Sequence, residues 1–201
     1  MRHYRLPSDL RGMRCLDVGT WDGFWAFEME KRGAASVVAL DLDDEADLDW
    51  PPRRRPTSPT SGRSAGFDEL RSRLGSSVER VELSVYDATP ERLGTFDLVF
   101  CGSVLIHLRD QFLALERIAS VCSGRFVSAE EYDRLTSLLP VAVNRWRGDD
   151  PSAVVFWRPN LRAWRRMLWS AGFFRVERVS RFTLRSTDGV KVPHVVHHAF
   201  K

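Results

Sequence analysis

The chain has 201 residues, of which 43% are hydrophobic and 28% charged, and its formal net charge is +3, with arginine far outnumbering lysine. That length suits a single domain spanning residues 1–201 with a sizeable core, and the composition is that of a globular protein rather than a fibrous or disordered one. No apolar run approaches the about 18 residues of a membrane span, and Met1–Pro7 lacks a signal peptide's apolar core, so no membrane partner and a cytoplasmic location are expected.

Cys15, Cys101 and Cys122 lie on or beside apolar runs without metal-ligand spacing. They read as buried, reduced thiols, and no metal site is expected. The arginine excess reads either as coding composition or as a surface for a polyanionic partner.

In chain order, residues 1–12 form a lead-in expected to cover one edge of a bound ligand. Arg14–Val18 is a short apolar strand that runs into the turn Gly19-Thr20-Trp21-Asp22-Gly23, then a helix with Phe24, Trp25 and Phe27 at helical spacing and a stop at Gly33. Gly19 allows a sharp turn and close approach of a ligand, and Gly23 allows tight packing at the helix start. Phosphate is a natural guest at such a helix N-terminus. Here, however, Trp21 replaces the middle glycine of the dinucleotide fingerprint, and Asp17 and Asp22 add negative charge. A cationic nucleoside suits these residues better, and S-adenosylmethionine, with a sulfonium, an ammonium and no phosphate, is one.

A second strand, Ser36–Asp41, ends about 20 residues beyond the turn in a carboxylate placed to hold ribose hydroxyls, with Leu42 beside it. The remainder of the acidic cluster to Asp47 reads as a solvated loop. Residues 49–66 hold four prolines and four arginines and no plausible helix or strand, which suggests a lid or insertion beside the adenosine. Arg53–Arg55 either binds phosphate or an acidic substrate, or is simply solvated. A helix over Phe67–Leu74 ends at Gly75. The third strand is read as Val81–Ala88, with Asp87 accepting from an adenine amino group and Ala88 next to it. The fourth, Phe96–Ser103, places Ser103 at its end and leads into Val104-Leu105-Ile106-His107.

Asp110 caps a helix to Val121 whose apolar face is Phe112, Leu115, Ile118 and Ala119. A fifth strand, Gly124–Ala129, delivers Glu130, Glu131, Tyr132 and Asp133, polar groups at a strand's carboxyl end. Residues 131–160 read as a second lid or insert, irregular from Leu138 onward. Asn160 caps a helix carrying Leu161, Trp164, Met167, Leu168 and Ala171 and closed by Gly172. Two strands, Phe173–Arg181 and Val192–Phe200, joined by a turn at Thr187-Asp188-Gly189, complete the chain. Eleven arginines against three acids between Arg134 and Arg185 make that region distinctly basic.

With polar groups at successive strand ends in the order one nucleoside needs, the chain resembles a class I S-adenosylmethionine-dependent methyltransferase. The resemblance implies an α/β, Rossmann-like seven-stranded sheet, mostly parallel with a C-terminal antiparallel hairpin and helices on both faces. It assigns Asp17, Gly19, Thr20, Trp21, Gly23, Asp41, Leu42, Asp87, Ala88 and Ser103 to cofactor binding. Asp17–Phe24, the segment Cys101–Leu108, Arg158-Pro159-Asn160 and Met167–Phe173 further resemble the tRNA wobble-uridine methyltransferase or carboxymethyltransferase family. Two features depart from that family. Only about a dozen residues precede the first strand, and Ile106-His107-Leu108 stands where members using the carboxylated cofactor have Tyr-His-Arg. Ordinary S-adenosylmethionine and a small-molecule acceptor are therefore expected, with tRNA as the alternative partner and a nicotinamide enzyme or non-catalytic nucleotide module as a third reading. His107 is the first candidate base, or else a helix-start histidine bonded to backbone. Glu130, Glu131 and Tyr132 are the next catalytic candidates.

Overall fold

The computed structural model describes residues 2–150, 154–185 and 189–201. Its strands are β1 (Arg14–Val18), β2 (Ser36–Asp41), β3 (Glu79–Glu82), β4 (Phe96–Gly102), β5 (Cys122–Glu131), β6 (Asn144–Trp146), β7 (Trp157–Pro159), β8 (Arg175–Arg185) and β9 (Lys191–Phe200). The helices are α1 (Phe24–Lys31), α2 (Ala65–Leu74), α3 (Pro90–Leu93), α4 (Gln111–Val121) and α5 (Leu161–Ser170). Seven strands form one sheet in the order β3-β2-β1-β4-β5-β9-β8. The first five are parallel, and β9 runs antiparallel to both β5 and β8.

The inner strands are apolar on both faces because both faces are covered, the rule for parallel strands. Leu16, Val38, Val99 and Phe126 meet Leu115 and Ile118 of α4 and Trp164 and Leu168 of α5. On the other face, Cys15, Val37, Phe100 and Val127 meet Ala26, Phe27 and Met29 of α1 and Phe67 of α2. The chain leaves β1 toward β2 on one side and returns to β4 on the other. The carboxyl ends of β1 and β4 therefore border the crevice where such sheets bind ligands.

Several local expectations need correction. Strand β3 stops at Glu82, because the Ser84 hydroxyl accepts from Tyr86 N and turns the chain into a 3-10 turn over Val85–Asp87. Phe24 is 54% exposed; Ala26, Phe27 and Met29 are the buried residues of α1. Phe112 lies at the rim of α4, and Ala114 takes its place in the core. The lead-in packs on the sheet face rather than over the crevice. Tyr4 contacts Trp25 and Phe182, and its carbonyl accepts from His198 Nε2.

The described part of residues 138–160 is also more regular than its composition suggests, since β6 and β7 pair antiparallel with Trp146 opposite Trp157. The Pro/Arg insertion contains a 3-10 turn at Pro52–Arg54, and the neighbouring acids are not idle. Asp43 accepts from the backbone of Gly62 and Ser64, and Glu45 from that of Thr60, so two carboxylates strap the insertion down. The three cysteines are buried and free. Thr187 and Asp188 of the expected hairpin turn lie outside the described residues.

Asn160 shows how one side chain joins the second insertion to the core. Its Oδ1 accepts from Ala163 N at 2.8 Å, capping α5, while Nδ2 donates to the carbonyls of Thr136 and Val141, each at 2.9 Å. Replacing this buried amide removes a cap and leaves two carbonyls unpaired. Asn160→Ala is therefore expected to destabilise the fold by about 2–4 kcal/mol, read from the shift of a denaturant unfolding midpoint.

Candidate active site

Two loops build the crevice, one after β1 and one after β4, and a buried carboxylate lies beneath each. Under the first loop, Asp17 Oδ2 accepts from Thr20 Oγ at 2.8 Å and from Ala26 N at 3.1 Å. Burial pushes the Asp17 carboxyl up to about 7, against the lowering effect of those two bonds. Gly19 adopts φ +71°, and a Cβ there would stand 2.3 Å from Val104 Cγ2, so only glycine lets the two loops touch. Gly23, at φ +87°, is enclosed by Phe27 and Phe67.

Trp21 is 70% exposed and also has positive φ, and its N–H donates to Asp41 Oδ2 at 2.8 Å. Leu42 N donates to Asp41 Oδ1, also at 2.8 Å. Each Asp41 oxygen keeps a further lone pair, and the residue borders the cavity at the end of β2.

Under the second loop, buried Glu130 directs Oε1 at the backbone N–H groups of Val104 (3.2 Å) and Leu105 (3.3 Å), while Oε2 has no hydrogen-bond partner among the described residues. Burial pushes its carboxyl up to about 8. Above it, Ser103 adopts φ +58°, and its hydroxyl lies 2.9 Å from His194 Nε2. His194 Nδ1 faces the Val192 carbonyl at 3.0 Å. A carbonyl only accepts, so the His194 proton sits on Nδ1 and Ser103 donates to Nε2. The same reasoning applies to His107, whose Nδ1 donates to the Val154 carbonyl at 2.7 Å and whose Nε2 is therefore an unprotonated acceptor. Burial lowers the His107 pKa and favours this neutral form.

The loops border a cavity of about 550 Å³ lined by Gly19, Trp21, Asp41, Ser103, Val104 and His107 and, from the neighbouring segments, by Leu48–Trp50, Arg63 and Val154. It continues into a deeper end lined by Leu42, Asp47, Leu83, Ser84, Val85 and Tyr86. The Pro/Arg insertion is latched over this cleft through Asp49, which accepts from the Tyr86 hydroxyl and from Arg109 N. Of the sequence-named residues, Gly19, Trp21, Asp41, Leu42, Ser103 and His107 line the cleft. Asp17, Thr20 and Gly23 shape the first loop from within. Asp87 is exposed on its 3-10 turn and Ala88 is buried in the core, neither lining the cleft, because the chain turned at Ser84.

The candidates at the carboxyl end of β5, which runs on through Glu131, do not line it either. Glu130 holds the loop, Glu131 pairs with Arg158 Nε at 2.7 Å, and Tyr132 packs into the core. With Asp133–Arg145 at 3.0 Å, these pairs clamp the β6–β7 ribbon to the end of β5. Sequence reasoning missed Asp49, Tyr86 and His194. Their only sequence signals were an acid at the start of the insertion, a tyrosine beside the chosen Asp87, and one of three histidines in the terminal strand.

The deep end fits a cationic nucleoside donor. Among the described residues that line it are Asp41, Asp47 and Asp49, and no lysine or arginine, so it offers no cationic side chain to a pyrophosphate. The family comparison agrees, with a model described as "Methyltransferase domain" matching residues 2–177. The chain belongs to that family and is a class I, S-adenosylmethionine-dependent methyltransferase domain. Among curated relatives it is 33% identical over 90 residues to ribosomal protein L11 methyltransferase of Porphyromonas gingivalis, covering 43% of this chain and 27% of that protein. It is 33% identical over 105 residues to magnesium-protoporphyrin O-methyltransferase of Rhodobacter capsulatus, covering 52% of this chain and 38% of that protein. The chain thus spans well under half the length of these relatives. In fold it is similar to an S-adenosylmethionine-dependent methyltransferase from Mesorhizobium loti, with a TM-score of 0.66, 16% identity, and coverage of 98% of this chain and 94% of that one. It is likewise similar to 1,6-didemethyltoxoflavin-N1-methyltransferase of Burkholderia thailandensis, solved with bound 1,6-didemethyltoxoflavin and S-adenosylhomocysteine, with a TM-score of 0.61, 18% identity, and coverage of 95% and 72%. Among the described residues no helix is long and apolar enough to cross a membrane.

The raised Glu130 pKa has a consequence for stability. The folded state holds this proton more tightly than the unfolded chain, whose carboxyl titrates near 4.5. The contribution is therefore complete below that pH and is lost as pH rises through about 8. Glu130→Gln keeps an acceptor for Val104 and Leu105 N–H without the titration. The variant should match the parent at pH 5 and exceed it at pH 8.5 in thermal midpoint, whereas a parallel pair of curves would contradict the assignment.

Proposed function

We propose that the protein methylates an oxygen or nitrogen of a small-molecule acceptor. The observation that carries this reading is the cavity of about 550 Å³ beside the glycine turn, within the size range of small-ligand sites. Its wall is mostly apolar, from Trp21, Leu48, Trp50, Val104, Leu108 and Val154, with few polar atoms converging on it. Two of the proteins cited above, the magnesium-protoporphyrin and didemethyltoxoflavin enzymes, are named for small-molecule substrates, while the L11 enzyme is named for a ribosomal protein.

When bound, S-adenosylmethionine supplies an already activated methyl group, which leaves alignment, exclusion of water and proton removal to the protein. Asp41 would hold the ribose hydroxyls, and Leu42, Ser84 and Val85 would flank the base. His107 Nε2, with its tautomer set by Val154, accepts the acceptor's proton. The Ser103 oxygen, its own proton committed to His194, offers a fixed lone pair that orients an acceptor N–H or O–H. The strapped insertion 49–66, latched by Asp49, and the clamped segment 131–160 act as lids that keep water out.

A second reading is a tRNA wobble-uridine-modifying enzyme. It rests on the motif resemblance and on the arginines between residues 134 and 185, and nucleoside mass spectrometry of tRNA incubated with enzyme and labelled methyl donor decides it.

Two substitutions test the roles. Asp41→Ala should weaken S-adenosylhomocysteine binding by at least about tenfold in isothermal titration, since it removes hydrogen bonds to a charged group. His107→Gln should lower turnover about a hundredfold or more on a deprotonation-dependent acceptor while S-adenosylhomocysteine affinity stays within about threefold. Unchanged turnover would return His107 to a purely structural role.

A further inference from the structure

The sheet flank opposite the lead-in carries a second concave region, which shares no lining residue with the methyl-transfer cleft. It lies between α5 and β8. Arg162, Arg165 and Arg166 recur at helical spacing on α5, while the other face of that helix buries Ala163, Trp164 and Leu168. With Arg178 of β8 they line a cavity of about 570 Å³ floored by His197. An adjoining hollow of about 510 Å³ shares Arg165 and Arg166 and adds Arg175, Trp169 and Phe174.

Three features distinguish this region from an ordinary solvated helix face. First, no aspartate or glutamate lines either hollow, and among the described residues Arg162, Arg165, Arg166 and Arg178 have no carboxylate partner. Arg175 alone has one, Glu177, and that pair is exposed. Second, the charge is felt locally. His197 is pushed down to about 3, chiefly by burial and then by Arg178 and Arg165. The groups facing His197 are Arg178, paired with it on the neighbouring strand, and Arg165 on α5, while His198, next in the chain, is turned to the other face and the Tyr4 carbonyl. Third, Trp169 and Phe174 are 66% and 69% exposed, large aromatic surfaces next to guanidinium groups.

Converging guanidinium groups suit phosphate oxygens, and free aromatic faces beside them suit unstacked bases. A lone phosphate would use the arginines and leave the aromatic faces idle. A duplex keeps its bases stacked and would do the same.

We propose that the groove between α5 and β8 binds single-stranded nucleic acid, with the arginines on the phosphate backbone and Trp169 and Phe174 stacking on bases. This binding is separate from the acceptor cavity and does not depend on what that cavity methylates.

The test is fluorescence anisotropy of the full chain with a labelled 12-nucleotide single strand, titrated across salt concentrations. Parallel arms use the matching duplex and inorganic polyphosphate of similar charge. Expected is single-strand binding that weakens with salt by about 0.7 logarithmic units per phosphate neutralised, a slope that each lost arginine contact makes shallower. Arg165→Glu with Arg166→Glu should lower affinity at least tenfold, and Trp169→Ala should lower it severalfold at unchanged salt slope. Both variants should keep parental S-adenosylhomocysteine affinity, which shows that they fold. Absence of binding at low salt, equal binding of polyphosphate or duplex, or indifference to these substitutions in a folded protein would each overturn the proposal.

Discussion

Contact between the loops after β1 and β4 is the constraint on which the active site depends. Both loops end neighbouring parallel strands at the point where the chain's direction across the sheet reverses. They touch because Gly19 has no side chain where Val104 stands. Any Cβ would push the loops apart and open the floor of the cleft. The positive φ of Gly19, Trp21 and Ser103 clusters at this junction, which is where strained backbone is commonly found in binding sites.

Each loop is held from beneath by a carboxylate that never meets the cavity. Asp17 ties the first turn to the start of α1, and Glu130 gathers the amides below Ser103 and His107. Burying a carboxylate is costly, and both groups register that cost as pKa values raised to about 7 and about 8. Satisfying loop amides that have no strand partner offsets it. A charged residue at a strand end is therefore not by itself a catalytic group. The same holds for Glu131 and Asp133, which anchor arginines of the β6–β7 ribbon.

The insertions illustrate how polar composition hides order. Residues 49–66 have no periodicity, yet Asp43, Glu45 and Asp49 hold them by accepting from backbone and from Tyr86 and Arg109. These are contacts between segments far apart in sequence, and no local propensity encodes them. The second insertion is closed by the same chemistry with the polarity reversed, its arginines reaching back to acids at the end of β5.

The sequence alone determined the apolar inner strands, the two caps at Asp110 and Asn160, the glycine turn and the nature of its ligand. Those features rest on local patterning: continuous apolar runs for buried parallel strands, N-cap side chains within three residues of their targets, and carboxylates where phosphate would otherwise sit. Tertiary structure decided which polar residues face the cleft. His107 and Asp41 do, whereas Glu130 is turned to the amides of Val104 and Leu105, Glu131 to Arg158 and Tyr132 into the core, contacts that composition does not record. His194 entered the site from the last strand, and its partnership with Ser103 exists only because β9 lies against β5. Long-range pairing of that kind is a property of the folded sheet, and no window of sequence contains both partners.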